Sequence, residues 1–150
     1  TNRAIQSDGI YANASTGLAK LRRDGFASLN CFGYKAELVT ERLTFSGEYL
    51  FVNADFHQGE LRVAILGEQG KVIPGFDLDD CVVMSENSTK HKIKCKHGRT
   101  LKELQGRNIK LKFEGQNGLL YSFWITDDSF GKSHGYLAGG EVGKTSYIDE

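Results

Sequence analysis

Apolar and polar residues alternate along most of this chain with a period of two, which is the pattern of strands buried on one face. The alternation predicts strands from Glu37 to Phe45, Tyr49 to Ala54, Leu61 to Leu66, Ile109 to Glu114 and Leu119 to Ile125. A turn at Gln58-Gly59 follows the second of these strands, and Gln116-Asn117-Gly118 is typical of a hairpin turn. Only Leu101 to Gln105 has a helical pattern, which lasts for about one turn.

The spacing of these strands indicates the fold class. They follow one another at intervals of roughly 8–12 residues with glycine-containing turns, which favours an all-β, antiparallel sandwich or barrel. A chain of 150 residues fits one domain, and such a domain folds around its own core without a metal or a disulfide. We therefore expect a single β-sandwich domain over residues 1–150, with the glycine-rich tail of about residues 129–150 lying over it as a strap.

Charge and composition bear on the partners. The 19 basic and 19 acidic residues cancel, so the chain lacks the basic field of a nucleic-acid-binding domain. No apolar run approaches the roughly 18–20 residues that a membrane span requires. Asn13-Ala-Ser15 and Asn87-Ser-Thr89 match the N-glycosylation pattern. Because such tripeptides also arise by chance, they favour a secreted, extracellular protein only modestly.

A run of lysines offers an electrostatic surface. In the segment Lys90 to His97, the lysines occupy alternate positions and would share one face of a strand. If the strand with Lys110 and Lys112 lies beside it, the two form a basic surface that captures an anionic ligand, such as a uronic or sulfated glycan. The alternative is a solvated edge strand whose lysines prevent edge-to-edge aggregation.

The aromatic residues offer a stacking surface. The alternation places Leu119, Tyr121, Phe123 and Ile125 in the core and Trp124 on the opposite, less apolar face. A flat aromatic ring there suits the apolar face of a sugar ring. The alternative is that the C-terminal strap covers Trp124 with Tyr136 and Leu137. The stacking candidates are Trp124, Tyr49 and Tyr121.

Few residues offer catalytic or metal chemistry. Asp77, Asp79 and Asp80 could hold a structural calcium ion through carboxylate oxygens, although acidic turns are more often simply solvated. No Ser-His-Asp arrangement or nucleophile elbow stands out. We therefore assign no catalytic residue, no metal ligand and no other cofactor, and expect a protein that is not an enzyme.

The cysteines leave the redox state open. Cys31, Cys81 and Cys95 allow at most one internal disulfide. A bond between Cys81 and Cys95 and a set of ordinary buried thiols are both compatible with the spacing.

A series of short motifs resembles one known family. They are Arg23-Asp-Gly-Phe26, Phe45-Ser-Gly47, Leu50-Phe-Val-Asn53, Leu61-Arg-Val63, Ile73-Pro-Gly-Phe76, Asp80-Cys81, Leu104-Gln-Gly106 and Leu120-Tyr-Ser-Phe123. In this order they are similar to the β-sandwich domain at the C-terminal end of secreted sialidase- or arabinanase-like hydrolases. The resemblance implies a jelly-roll-like accessory domain that binds carbohydrate or packs on a neighbouring catalytic domain. Cys95 replaces a tryptophan expected in that family, which favours its pairing with Cys81.

These observations together predict a non-catalytic, lectin-like module. Its expected ligand is a glycan, and the lysines favour an acidic or sulfated polysaccharide. The predicted binding residues are Trp124, Tyr49, Tyr121, Lys92, Lys94, Lys110 and Lys112. The alternative is a structural or protein-interaction sandwich that packs on a neighbouring domain or on itself.

Overall fold

A computed structural model describes residues 17–135, 146, 148 and 149 of the chain. Seven strands and two short 3-10 turns account for its regular structure. The strands are β1 (Leu29–Asn30), β2 (Lys35–Val39), β3 (Tyr49–Asp55), β4 (Glu60–Gly67), β5 (Asn87–Lys92), β6 (Ile109–Gln116) and β7 (Leu119–Thr126). The 3-10 turns are Lys96–Gly98 and Leu101–Leu104, and the second confirms the helical turn predicted there.

The strands form two antiparallel sheets, which confirms the predicted all-β sandwich. The four-stranded sheet has the order β1-β7-β3-β5, and the three-stranded sheet has the order β2-β6-β4. Successive strands belong alternately to the two sheets, which is a jelly-roll arrangement. The place beside β4 holds isolated bridges instead of a full strand, at Leu61–Met84 and Leu66–Val72.

The core lies between the two sheets. Leu50, Val52 and Ala54 of β3 face Leu61, Val63 and Ile65 of β4 across it. Three of the largest fully buried side chains, those of Phe56, Phe76 and Met84, come from connections between strands. Burying an apolar side chain of this size contributes about 1.5–3 kcal/mol to stability, so these connections form part of the core.

The two predicted turns do not close hairpins. Gln58-Gly59 joins β3 to β4, and Gln116-Asn117-Gly118 joins β6 to β7, so each carries the chain from one sheet to the other. The two connections touch, since a Cβ atom on Gly59 would collide with the backbone of Asn117. The hairpin prediction was wrong because a glycine turn signals a change of direction and does not identify the sheet that the next strand joins.

A bulge in β7 changes the predicted faces. Asn53 lies opposite Ser122, but the next residue, Ala54, lies opposite Leu120. The extra residue, Tyr121, therefore has no partner, and the alternation shifts by one position. Leu120 enters the core, and Tyr121 turns to the outer face, which corrects the predicted placement of both residues.

Two other predicted strands are shorter than expected. The segment Glu37 to Phe45 forms β2 only as far as Val39, and Leu43 makes an isolated bridge to Ile109. The lysine strand ends at Lys92, and the chain then passes through a bridge at Cys95 into the 3-10 turn at Lys96. The lysines after Lys92 are thus not held in one regular strand.

Candidate functional site

The predicted basic surface is divided between the two sheets. Lys92 ends β5, an edge strand of the four-stranded sheet, whereas Lys110 and Lys112 lie on β6, the central strand of the other sheet. The Lys112 ammonium pairs with Glu37 at 2.7 Å. The lysines of β5 and β6 therefore do not form one surface, because the strands that carry them belong to different sheets.

Trp124 is half-buried by its neighbours on the outer face of the four-stranded sheet. Its ring stacks on Phe51, with ring centroids 5.6 Å apart and planes inclined by 14°. Its indole N–H donates a hydrogen bond to the Gly131 carbonyl at 3.2 Å. A small hollow of about 140 Å³ remains beside it, next to Arg23 and Ser133. Tyr136 and Leu137, the residues predicted to cover Trp124, lie outside the described residues.

Tyr121 is covered by Arg22, which lies 4.7 Å from the centre of its ring. The same guanidinium donates to the Asn53 side-chain oxygen at 2.5 Å and to the Ala54 and Ser88 carbonyls at 2.9 and 2.7 Å. Asn53 is fully buried. The exposed face of Tyr121 is thus occupied by a residue of the chain itself, and its stacking role in binding stays a prediction.

A buried carboxylate holds the last described residues against the start of the domain. Asp149 accepts hydrogen bonds from Arg23 at 2.9 Å and from the Ser133 N–H at 2.8 Å. Its backbone also pairs with His134 and Gly135. Burial disfavours its ionised form, but these donors outweigh burial and hold the pKa of Asp149 well below its usual value.

Three predicted binding residues border one cleft. Tyr49, Lys92 and Lys94 contribute to the lining of a cleft of about 250 Å³ between β5 and β4, the edge strands on one side of the sandwich. The Tyr49 ring and the Lys92 ammonium themselves lie beside Phe51, on the outer face of the four-stranded sheet. Glu48, Arg99 and Thr100 also line the cleft. The cleft walls are made by Leu50, Val63, Ile65, Phe76, Cys81, Ile93, Cys95, Gly98 and Leu101.

Two lysines next to this cleft have no carboxylate partner. The Lys92 ammonium lies 4.2 Å from the centre of the Tyr49 ring and 5.6 Å from that of Phe51, and neither Lys92 nor Lys94 is within 4.0 Å of a carboxylate in the described part of the chain. Arg99 is paired with Glu103 at 2.6 Å. Burial and the neighbouring Glu48 carboxylate raise the pKa of Tyr49 above its usual value. The phenol therefore stays protonated at neutral pH, and the Lys92 ammonium keeps a positive charge above its ring.

A disulfide forms part of the cleft wall. Cys81 and Cys95 lie directly opposite each other in an isolated antiparallel bridge, and their sulfur atoms are bonded. Backbone hydrogen bonds flank the bridge, from Val82 to the Lys94 carbonyl and from Lys96 to the Asp80 carbonyl, both at 2.7 Å. The remaining thiol, Cys31, is buried, and burial raises its pKa.

In the acidic turn suggested for calcium, two of the carboxylates accept hydrogen bonds from the backbone of the turn itself. The Asp77 N–H donates to the Asp80 carboxylate, and the Leu78 N–H donates to the Asp77 carboxylate. Asp79 pairs with Arg62 at 3.0 Å. Among the described residues, no group of three or more His, Cys, Asp or Glu side chains could hold a metal ion.

Sequence reasoning missed the residues that reach the cleft from distant segments. Arg99 stacks over Phe76 at 4.5 Å and donates to the Pro74 carbonyl at 2.6 Å. This contact joins residues 25 positions apart, and no periodic pattern surrounds Arg99. No local pattern in the sequence therefore predicts the position of Arg99.

Comparisons with known proteins identify no relative of this chain. No protein-family model, no curated protein and no solved structure matches it. Separately, none of the helices within residues 17–135 is long and apolar enough to cross a bilayer. Any function must therefore be argued from the geometry of the described residues.

Proposed function

We propose that this domain is a non-catalytic binding module for an anionic glycan, and that Tyr49, Lys92 and Lys94 are its main contacts. One observation carries the proposal: the Lys92 ammonium lies 4.2 Å from the centre of the Tyr49 ring on the outer face of the four-stranded sheet, and Lys94 follows two positions further along the same segment. Two ammonium groups without a carboxylate partner provide a site for the carboxylate or sulfate of an acidic polysaccharide.

The chemistry of this surface fits a polar, charged ligand. The Tyr49 hydroxyl offers a hydrogen bond to a sugar hydroxyl, while Lys92 and Lys94 supply the charge. Because the surface is open to water, we expect weak affinity, with a Kd in the μM to mM range, worth roughly 4–8 kcal/mol. Surface charges are screened by salt, so binding should weaken as ionic strength rises.

Two further observations support an extracellular accessory role. Disulfides such as Cys81–Cys95 persist mainly in oxidising compartments. The ordered motifs from Arg23 to Phe123 resemble accessory domains of secreted hydrolases, and a jelly-roll sandwich is the fold that this resemblance implies. The neighbouring catalytic domain implied by the resemblance is part of the proposal.

A panel of neutral and anionic polysaccharides tests the proposal. We expect the wild-type domain to bind anionic members and to lose them when Lys92→Gln is combined with Lys94→Gln. The matched control combines Lys90→Gln with Lys110→Gln, which removes the same charge outside the cleft. Binding to no polysaccharide, or equal loss in both double variants, would remove the support for this site.

A protein-interaction role is the second candidate, and exposed apolar side chains favour it. Phe26, Phe32 and Tyr34 have 86%, 44% and 59% of their surface exposed within one short segment. Such clusters often mark protein contacts. If this surface mediates self-association, sedimentation equilibrium should show a dimer that Phe26→Ser with Phe32→Ser converts to a monomer. A wild-type domain that stays monomeric at its highest soluble concentration would exclude self-association.

A further inference from the structure

The strand β2 has an open edge. It pairs with β6 on one side, and within the described part of the chain no strand pairs with it on the other. The Thr40 N–H donates to the Leu111 carbonyl at 2.9 Å, and antiparallel pairing alternates along β2 from this bond. Two residues of β2 therefore bond to β6 through their backbones, and the backbone groups of the other three point to the open edge. These three residues are Lys35, Glu37 and Val39.

The two charged residues of β2 have opposite signs and remain accessible. Lys35 pairs with Glu114 of β6 at 2.7 Å, and Glu37 pairs with Lys112 of β6 at 2.7 Å. The side chains of Lys35 and Glu37 are nevertheless 61% and 51% exposed. Each of them can therefore also contact a charge that approaches across the open edge.

These charges suit a second copy of the same strand. A two-fold axis makes the two copies of β2 antiparallel, so that residues opposite each other lie on the same face. An axis at Glu37, the middle of the strand, would place two glutamates directly opposite each other, which is unfavourable. An axis one position earlier, at Ala36, places Lys35 opposite Glu37 of the second copy, and does so twice. The charges thus favour one register of self-pairing.

The other sheet edges lack this self-complementarity. β5 carries two lysines and no acidic residue, so a second copy of β5 would bring like charges together. Beside β4, isolated bridges place Met84 and Val72 along the edge, and β1 is two residues long. Among the sheet edges in the described residues, β2 is therefore the one whose charges match those of a second copy.

Exposed apolar side chains border the same edge. Phe32 and Tyr34 precede β2 and Val39 ends it, and 44%, 59% and 40% of their surfaces are exposed. In the register centred on Ala36, Tyr34 would lie opposite Leu38 of the second copy. Pairing would remove part of this apolar surface from water, which favours association. β2 also contains neither a proline nor a bulge, two of the features that prevent edge strands from pairing.

We propose that two copies of this domain pair through β2, so that their three-stranded sheets join into one continuous sheet. Lys35 of each copy then lies opposite Glu37 of the other. This inference rests on the second candidate function, self-association, and specifies its surface and register. It uses none of the residues proposed to bind a glycan.

Charge reversal tests the register, with sedimentation equilibrium as the assay. We expect the wild-type domain to dimerise. Lys35→Glu and Glu37→Lys each place like charges across the edge and should raise the Kd of the dimer by about tenfold or more. An equimolar mixture of these two variants restores both opposite-charge pairs, so it should form heterodimers with a Kd near that of the wild type. The control Lys90→Glu, which reverses a charge on β5, should leave the dimer unchanged.

Two measurements separate a lost contact from a folding defect. Each single variant also loses an ion pair with β6, so its thermal unfolding is measured in parallel, and recovery in the mixture requires both variants to be folded. Hydrogen exchange of the wild-type domain is independent of any variant. The amides of Lys35 and Glu37 should exchange about tenfold or more slowly at concentrations that form the dimer, whereas the exchange of the β5 amides should not change.

The outcomes distinguish this inference from the functional proposals. A wild-type domain that stays monomeric at its highest soluble concentration overturns it. A dimer that both single variants leave intact, without protection of the β2 amides, also overturns it, although self-association through the surface around Phe26 would stand. The polysaccharide panel is repeated on Lys35→Glu and Glu37→Lys. Absence of polysaccharide binding would reject the glycan proposal and leave the dimer unaffected.

Discussion

Replacing Arg22 with alanine should destabilise the domain more than replacing any surface arginine. Its guanidinium donates to the side chain of Asn53 and to the carbonyls of Ala54 and Ser88, which belong to the neighbouring strands β3 and β5. It also lies over the ring of Tyr121. One side chain thus joins three strands at the point where bulges interrupt their regular pairing.

The expected loss follows from these contacts. Asn53 is fully buried, so its oxygen would lose a charged donor without ready access to water, at a cost of about 1–3 kcal/mol. The contact with Tyr121 contributes about 0.5–1 kcal/mol. Water can replace part of the hydrogen bonding to the two carbonyls. We therefore expect Arg22→Ala to lower the free energy of unfolding by about 2–4 kcal/mol.

Urea unfolding monitored by the fluorescence of Trp124, the chain's only tryptophan, measures this loss. Arg42→Ala is the matched control, because Arg42 forms a single ion pair with Glu68 and both side chains are more than half exposed. Its loss should stay below about 1 kcal/mol. If Arg22→Ala and Arg42→Ala lower the free energy of unfolding equally, the bridging role assigned to Arg22 is wrong.

Three further predictions concern stability. Replacing Cys81 and Cys95 with alanine opens a loop with a sequence separation of 14 and should cost about 3 kcal/mol in urea unfolding; a loss below about 1 kcal/mol would contradict this. Because the pKa of Asp149 is lowered in the folded protein, its ionised carboxylate stabilises the fold at neutral pH, and this stabilisation is lost as pH falls below about 4. Asp149→Asn should therefore make the free energy of unfolding depend less on pH in the acid range, and an unchanged pH dependence would contradict this role of Asp149. Gly118→Ala would place a Cβ atom 2.6 Å from the Asp55 carbonyl oxygen and against the ring of Phe56, and should lower the melting temperature through overpacking worth about 1–3 kcal/mol; an unchanged melting temperature would refute it.

The strands could be predicted from the sequence because alternation is a local property. Leu50 and Val52 in β3, and Leu111 and Phe113 in β6, are buried as their period-two pattern requires. The position of Tyr121 could not be predicted in this way. Its bulge arises from the pairing of β7 with β3, more than 60 residues earlier, and no residue within β7 indicates it.

The candidate site was predictable only in part. Tyr49, Lys92 and Lys94 stood out as an aromatic and two cations on predicted strands, and the structure brings them together. Lys110 was indistinguishable from them by pattern, because the sequence does not specify which sheet a strand joins. The apolar lining of the cleft includes Phe76 and Leu101, and ordinary packing of the core would explain the apolar character of these two positions equally well.

The alternation of strands between the two sheets also has a consequence for folding. No strand pairs with its neighbour along the chain, and the shortest separation in any ladder between strands is 32 residues, between Asp55 and Asn87. The isolated bridge between Leu66 and Val72 is local, but every ladder between two strands requires a long loop to close, so the domain should fold slowly, on the order of milliseconds to seconds. Until these ladders form, the backbone groups of the strands stay unpaired, and the collapsed chain is at greatest risk of aggregation during that interval.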